Sequence, residues 1–156
     1  MLHIITGKIN SYKTTRMKEI FKQTQKGDGF VSIKTMKDHK VLYYELENLQ
    51  SKTKQIHVVH TVNYPNHFTN YETLGPYAFD LDYLSEVEQY IEKLISNGIE
   101  PIFLDEIGIL ETNNKYFYPI LKKIIDANIE AYITVRSSLV EKIIDVFDVT
   151  NYTIIE

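Results

Sequence analysis

An α/β fold with a mainly parallel central sheet, interrupted by a β-hairpin after the first helix, is what this sequence predicts. Two observations carry that expectation. Short apolar segments alternate with amphipathic helical segments at both ends of the chain, the pattern of a sheet crossed over by helices. Between them, just after the first helical segment, two strand-like runs follow each other with only a short polar link, the pattern of a hairpin.

The elements follow in order. Residues 2–6 form a buried strand that runs into Gly7. Residues 14–25 have helical spacing, with Met17, Ile20 and Phe21 on one face, and Gly27-Asp28-Gly29 stops that helix. Residues 30–36 and 41–46 are the hairpin strands, joined by residues 37–40. Residues 56–62 are a β-branched strand. Residues 63–76, polar and rich in turn formers, read as a loop. Residues 82–95 are a helix with Leu84, Val87, Ile91 and Leu94 on one side, closed by Asn97-Gly98. A short strand at 101–104, a helix at 115–128, a strand at 130–135, a helix at 138–147 and a strand at 152–155 complete the chain.

With 156 residues, no internal repeat and no linker, the whole chain, 1–156, is expected to be one domain. A hydrophobic share of 44% and a charged share of 24% are ordinary for a water-soluble fold. The net charge of −4 argues against a broad electrostatic grip on nucleic acid. The chain has no cysteine, which removes thiolate metal sites and thiol nucleophiles. No apolar run reaches membrane-spanning length and no leader precedes the first strand, so a cytoplasmic protein that binds no membrane is the expectation.

Two segments carry chemistry. Gly7-Lys8-Ile9-Asn10-Ser11-Tyr12-Lys13-Thr14-Thr15 joins the first strand to the first helix. Its Gly7, Lys13 and Thr14 have the spacing of a phosphate-binding P-loop, whose second glycine is replaced by Tyr12. Loop amides at a helix N-terminus make an anion nest. Lys13 is the candidate charge on the β- and γ-phosphates, and the Thr14 hydroxyl a candidate magnesium ligand. Asn10 accepts a left-handed backbone better than most residues. Tyr12 is a poor substitute for glycine wherever that position demands positive φ. Alone, the loop is equally compatible with a polar turn and a solvated Lys13.

The second segment is Pro101-Ile102-Phe103-Leu104-Asp105-Glu106-Ile107-Gly108, an apolar strand that ends in two acids. Asp105 is the candidate for the magnesium shell and Glu106 for orienting or deprotonating an attacking water. A solvated acid pair is the alternative for this segment alone. Together the two segments supply complementary parts of one phosphoryl-transfer site.

With these residues in place, the chain resembles the small nucleoside-triphosphatase family of thermophiles and animals, the cancer-related NTPases with an AAA-like P-loop core. The resemblance rests on Ile4-Ile5-Thr6-Gly7 with Lys13-Thr14-Thr15, and on Gly29-Phe30-Val31-Ser32 before the hairpin. It continues in Gly75-Pro76-Tyr77 with Asp80, in Leu104-Asp105-Glu106-Ile107-Gly108 with Glu111, and in Thr134-Val135-Arg136. It implies a three-layer P-loop NTPase fold and slow, rather unselective hydrolysis of ATP, GTP and related triphosphates with Mg²⁺. It makes Gly7, Lys13, Thr14 and Thr15 phosphate and magnesium residues, Asp105 the metal-shell acid and Glu106 the catalytic acid or base. The chain departs from the family at Asn10 and Tyr12, where the family loop is glycine-rich. It departs again in the hairpin, where Lys34 and Lys37 are the nearest basic residues to a missing glycine and arginine pattern.

Phosphoryl transfer to a small acceptor near residues 75–82 and a non-catalytic nucleotide sensor are the rival functions. Arg136 either contacts the γ-phosphate or serves in a structural ion pair, the ordinary role of a lone arginine. Glu111 either braces the acidic loop or acts as a helix N-terminal acid. His57 and His60, three apart on a strand, face opposite sides and make no zinc site. Asp80 and Asp82 suit helix capping. Gly75-Pro76-Tyr77 is a flap over the nucleotide or a plain surface turn.

Overall fold

The computed structural model describes residues 1–156. In chain order the first half comprises β1 (Leu2–Gly7), α1 (Lys13–Thr24), β2 (Asp28–Lys37), β3 (Lys40–Asn48) and β4 (Lys54–His60). β5 (Tyr71–Leu74), β6 (Tyr77–Asp80), α2 (Leu81–Ser96) and β7 (Ile102–Ile107) follow. The last part holds α3 (Ile109–Thr112), α4 (Tyr118–Asp126), β8 (Ala131–Arg136), a 3₁₀ turn at Ser137–Leu139, α5 (Val140–Val146) and β9 (Tyr152–Ile155).

All nine strands form one sheet in the order β5-β6-β4-β3-β2-β7-β8-β1-β9. The α/β class holds, but the sheet is mixed and not mainly parallel. β2, β7, β8, β1 and β9 are parallel neighbours, whereas β3, β4, β6 and β5 extend the sheet antiparallel. Connection length explains the division. Helices return the chain between the parallel strands, as parallel pairing requires. The links between β2, β3 and β4 are too short for a crossover. Asp38 and His39, at φ 51° and 63°, make the two-residue turn of the expected hairpin, a geometry that matches strand twist.

β2 belongs to both halves. Asp28, Gly29 and Phe30 pair parallel with Ile102, Phe103 and Leu104, and from Phe30 onward the strand pairs antiparallel with β3. It therefore begins inside the segment read as a helix-stopping turn. α1 ends earlier, with Gln25 in the left-handed region at φ 54°. Gly27 is needed for a different reason: at its φ of 86°, a Cβ would lie 2.2 Å from the Pro101 carbonyl oxygen. The other revision is the 63–76 loop, which contains β5. Tyr71-Glu72-Thr73-Leu74 is mostly exposed and carries little apolar signal, so only its pairing with β6 makes it a strand.

Helices cover both faces, giving the expected three layers. Alternation along the strands sorts the core: Ile4, Phe30, Ile102 and Leu104 face the cluster under α2, α4 and α5, while Ile5, Val31 and Phe103 face Met17 of α1. The helical faces expected from spacing are the buried ones, Met17 with Ile20 and Phe21, and Leu84, Val87 and Ile91 with Leu94. Asp80 caps α2 by accepting hydrogen bonds from the Asp82 and Tyr83 amides at 3.0 and 3.2 Å. No helix is long and apolar enough to cross a membrane.

Candidate functional site

The C-terminal ends of β1, β7 and β8 converge on one cavity of about 500 Å³. Ligands collect at such strand ends in open α/β sheets. Ile9, Asn10, Ser11, Tyr12, Lys13 and Thr14 line it, whereas Gly7, Lys8 and Thr15 do not. Gly7 serves the loop from behind: a Cβ there would meet the Ser11 Oγ at 2.3 Å and the Ser11 Cβ at 3.0 Å. The Ser11 amide donates to the Lys8 carbonyl at 3.2 Å, and the Lys13 ammonium donates to that carbonyl at 2.9 Å and to the Ser11 Oγ at 3.4 Å.

Asn10 and Tyr12 both adopt left-handed backbone, at φ 60° and 64°. The position of the missing glycine does need positive φ, and Tyr12 supplies it, against the expectation that a tyrosine would be a poor substitute there. A single left-handed residue with a Cβ costs about 1–2 kcal/mol, well within what a packed domain absorbs. The ring is turned into solvent, 79% exposed, so it leaves the loop interior free. α1 has no side-chain cap and no acid in its first turn. Its first amides and dipole are thus available to an anion.

Asp105 is buried at the end of β7. Its Oδ2 accepts the Thr14 hydroxyl at 2.7 Å and the Ser32 amide at 2.9 Å. Its Oδ1 accepts the Glu106 amide at 3.0 Å and the Thr134 hydroxyl at 2.5 Å. Burial pushes this carboxyl above its ordinary range, and these donors hold it down. Four donors on two oxygens fit the ionised, acceptor-only form.

The pairing of β7 with β8 slips between Leu104 and Ile107, so Asp105 and Glu106 together face Thr134. This bulge puts Glu106 at φ 62° and turns the two acids apart. Glu106 reaches solvent, yet the cleft desolvates its carboxyl. That burial and the adjacent Asp105 raise it, while Lys13, Arg136 and Lys34 pull it down. Arg136 ends β8 on the cavity wall and joins none of the ion pairs in the molecule, which removes the structural ion pair as its role. Lys34 reaches across from β2, its ammonium 3.4 Å from the Asn10 Oδ1.

Glu111 is both a helix N-terminal acid and a brace. Its carboxyl accepts the Gly108 amide at 2.8 Å and the Phe117 amide at 3.3 Å, tying the acidic loop to the start of α4. Burial pushes it up to about 7.

Several lining residues escaped the sequence reading. Tyr44, Phe79, Tyr116 and His57 come from three strands and a helix link, and only the register brings them together. His57 bonds the Tyr116 hydroxyl at 2.8 Å and the Ser32 Oγ at 3.3 Å, while His60 packs against Tyr77. Burial lowers His57 to about 3, so it is neutral. Thr134 could have been found from its place beside the acids on the next parallel strand.

No group of three acidic or histidine side chains stands together here as a metal cage. The Thr14 hydroxyl and the Asp105 carboxylate are hard oxygen donors in contact. They fit Mg²⁺, which typically takes one or two protein oxygens and completes its shell with phosphate and water.

A mixed sheet whose parallel strand ends present an uncapped helix N-terminus, a lysine and a buried acid defines a nucleotide-binding protein of P-loop type. Residues 3–156 match the model of the NTPase family, and the chain belongs to that family. Its fold is similar to the crystal structure of THEP1 from the hyperthermophile Aquifex aeolicus, with a TM-score of 0.70 and 21% sequence identity over 100% of this chain and 89% of that one. No curated protein sequence matches.

Proposed function

We propose that the protein binds a nucleoside triphosphate with Mg²⁺ and slowly hydrolyses it to the diphosphate and phosphate. The carrying observation is the 2.7 Å hydrogen bond between Thr14 and Asp105, which joins the phosphate loop to the acidic strand end. The loop amides and Lys13 neutralise the β- and γ-phosphates, and Arg136 and Lys34 meet the charge that develops on the γ-phosphoryl oxygens. Thr14 and Asp105 would hold magnesium, which would supply further charge neutralisation. Glu106 orients the attacking water and takes its proton while the bond to the diphosphate breaks.

The left-handed backbone of Tyr12 supports turnover over the sensor reading, because the loop keeps the shape that a glycine would give it. The test is phosphate release from ATP and from GTP by the wild type and by Glu106→Gln. Equal rates in the two proteins would remove Glu106 from the mechanism, and no release by the wild type would remove hydrolysis.

A further inference from the structure

A water nucleophile occupies about 30 Å³, yet the cavity of about 500 Å³ extends beyond the phosphate loop and Glu106 to a chamber walled by other elements. Its walls come from the antiparallel half of the sheet. Tyr44 of β3, His57 of β4, Leu74 of β5 and Tyr77 and Phe79 of β6 line it, and Tyr116 closes it from the link before α4. The rings of Tyr44 and Tyr77 lie 6.1 Å apart, and those of Phe79 and Tyr116 meet edge to face at 5.1 Å. The hairpin β5–β6 is pinned over this space, its Pro76 carbonyl accepting from the Thr61 amide at 2.8 Å and the Thr61 hydroxyl at 2.9 Å.

The histidine and the Tyr44 hydroxyl inside are uncharged. His57 is neutral and bonded at both nitrogens to hydroxyls. Burial, with Tyr77 and Glu106 nearby, pushes the Tyr44 hydroxyl up to about 12, so it is a neutral donor. Glu111 spends its oxygens on backbone amides. Four aromatic rings, Leu74 and a neutral His57 make these walls, so the chamber suits a flat ring held by aromatic faces with one or two hydrogen bonds. The charged groups, Lys13, Lys34, Arg136 and Glu106, stand at the junction with the phosphate loop.

We propose that the chamber binds a second substrate, an uncharged aromatic alcohol, whose hydroxyl accepts the γ-phosphoryl group. This rests on the reading that the triphosphate lies along the Lys13 loop with its γ end toward Glu106. The alcohol oxygen bonds to the γ-phosphorus as the bond to the diphosphate breaks. The hydroxyl proton passes to the Glu106 carboxylate and then to solvent. The balance is alcohol plus triphosphate giving phosphate monoester, diphosphate and one proton, with no change of oxidation state. Hydrolysis is then the same reaction with water in an empty chamber.

The experiment uses benzyl alcohol and 2-naphthalenemethanol as probes, with toluene as the control lacking a hydroxyl. Saturation-transfer NMR on the nucleotide-free protein reads binding. ³¹P NMR with ATP and Mg²⁺ reads the aryl-methyl phosphate. At least one alcohol should bind near the millimolar range expected of so few atoms, and more tightly than toluene. Its phosphate ester should accumulate at the expense of free phosphate. Leu74→Trp, which fills the chamber from an exposed strand, and Tyr77→Ala, which removes a wall, should each weaken the probe about tenfold with an unchanged melting temperature. Two variants keep the result readable if one fails to fold. Failure of both alcohols to bind overturns the chamber, and binding with only free phosphate formed overturns the acceptor role. ATP neither bound nor consumed overturns the nucleotide reading, and the acceptor role with it, while probe binding is still read without nucleotide.

Discussion

The parallel strands β1, β7 and β8 and the antiparallel strands β3, β4 and β6 reach the same cavity with opposite chemistry. The parallel half delivers charge and backbone amides: Lys13, Asp105, Glu106 and Arg136 all follow directly from a strand end or the loop beyond it. The antiparallel half delivers rings from strand faces, not strand ends: Tyr44, His57, Tyr77 and Phe79. A strand end can hold a reacting group in a loop stiffened by hydrogen bonds, as the four donors around Asp105 do. A strand face offers a flat wall, which selects shape and polarity. On the proposed reading, one half handles phosphate and the other whatever lies beyond it.

Substitutions on each half test that division. Glu106→Gln should have the largest effect, lowering phosphate release about 10³-fold in a coupled assay, since it removes the proton acceptor and leaves the loop intact. Retention of the wild-type rate would mean that the parallel half does not hold the reacting base.

Next come two buried titratable groups that depend on pH in opposite directions. Glu111 sits at about 7 against an ordinary 4.5, so between those values the folded protein holds a proton that the unfolded chain has lost. Its stability falls as pH rises through that window, by about 3 kcal/mol in all. The melting temperature of the wild type relative to Glu111→Gln should therefore fall from pH 5 to pH 8. His57 sits at about 3 against an ordinary 6.5, so below 6.5 the unfolded chain takes a proton that the folded one refuses. Stability falls as pH drops, by about 2 kcal/mol between pH 6.5 and 5. His57→Gln should flatten that acid limb in urea titrations, and an unaltered limb would show that His57 is not buried neutral in the chamber wall.

The smallest effect is expected at Tyr12→Gly. It relieves left-handed strain but adds freedom to the unfolded chain, so the net gain should stay under about 1 kcal/mol by calorimetry. A loss of stability would mean that the exposed ring does more than occupy solvent.

The two halves were also unequally legible. Lys13, Thr14, Asp105 and Glu106 lie in two unbroken segments whose spacing carries meaning, and the strand-loop-helix context around them could be read from periodicity. The chamber is scattered from Tyr44 to Tyr116, and its members share a wall only through the pairing of β3 with β4 and β4 with β6. β5 and β6 were hidden because four residues are too few to show an alternating pattern, and those of β5 are mostly exposed. The sequence singles out Glu106 as a residue but not its conformation. Its place depends on a bulge, and nothing in Leu104-Asp105-Glu106-Ile107 announces one.

Ser32 lies two residues beyond Phe30, where β2 passes from its parallel neighbour to its antiparallel one. Its amide holds Asp105 and its hydroxyl meets His57, so one residue is shared by the buried acid and the aromatic wall. If both proposed ligands bind, thermodynamic linkage makes any coupling between them reciprocal. By whatever factor a nucleotide alters the affinity of the chamber for its occupant, the occupant alters the affinity for the nucleotide by the same factor.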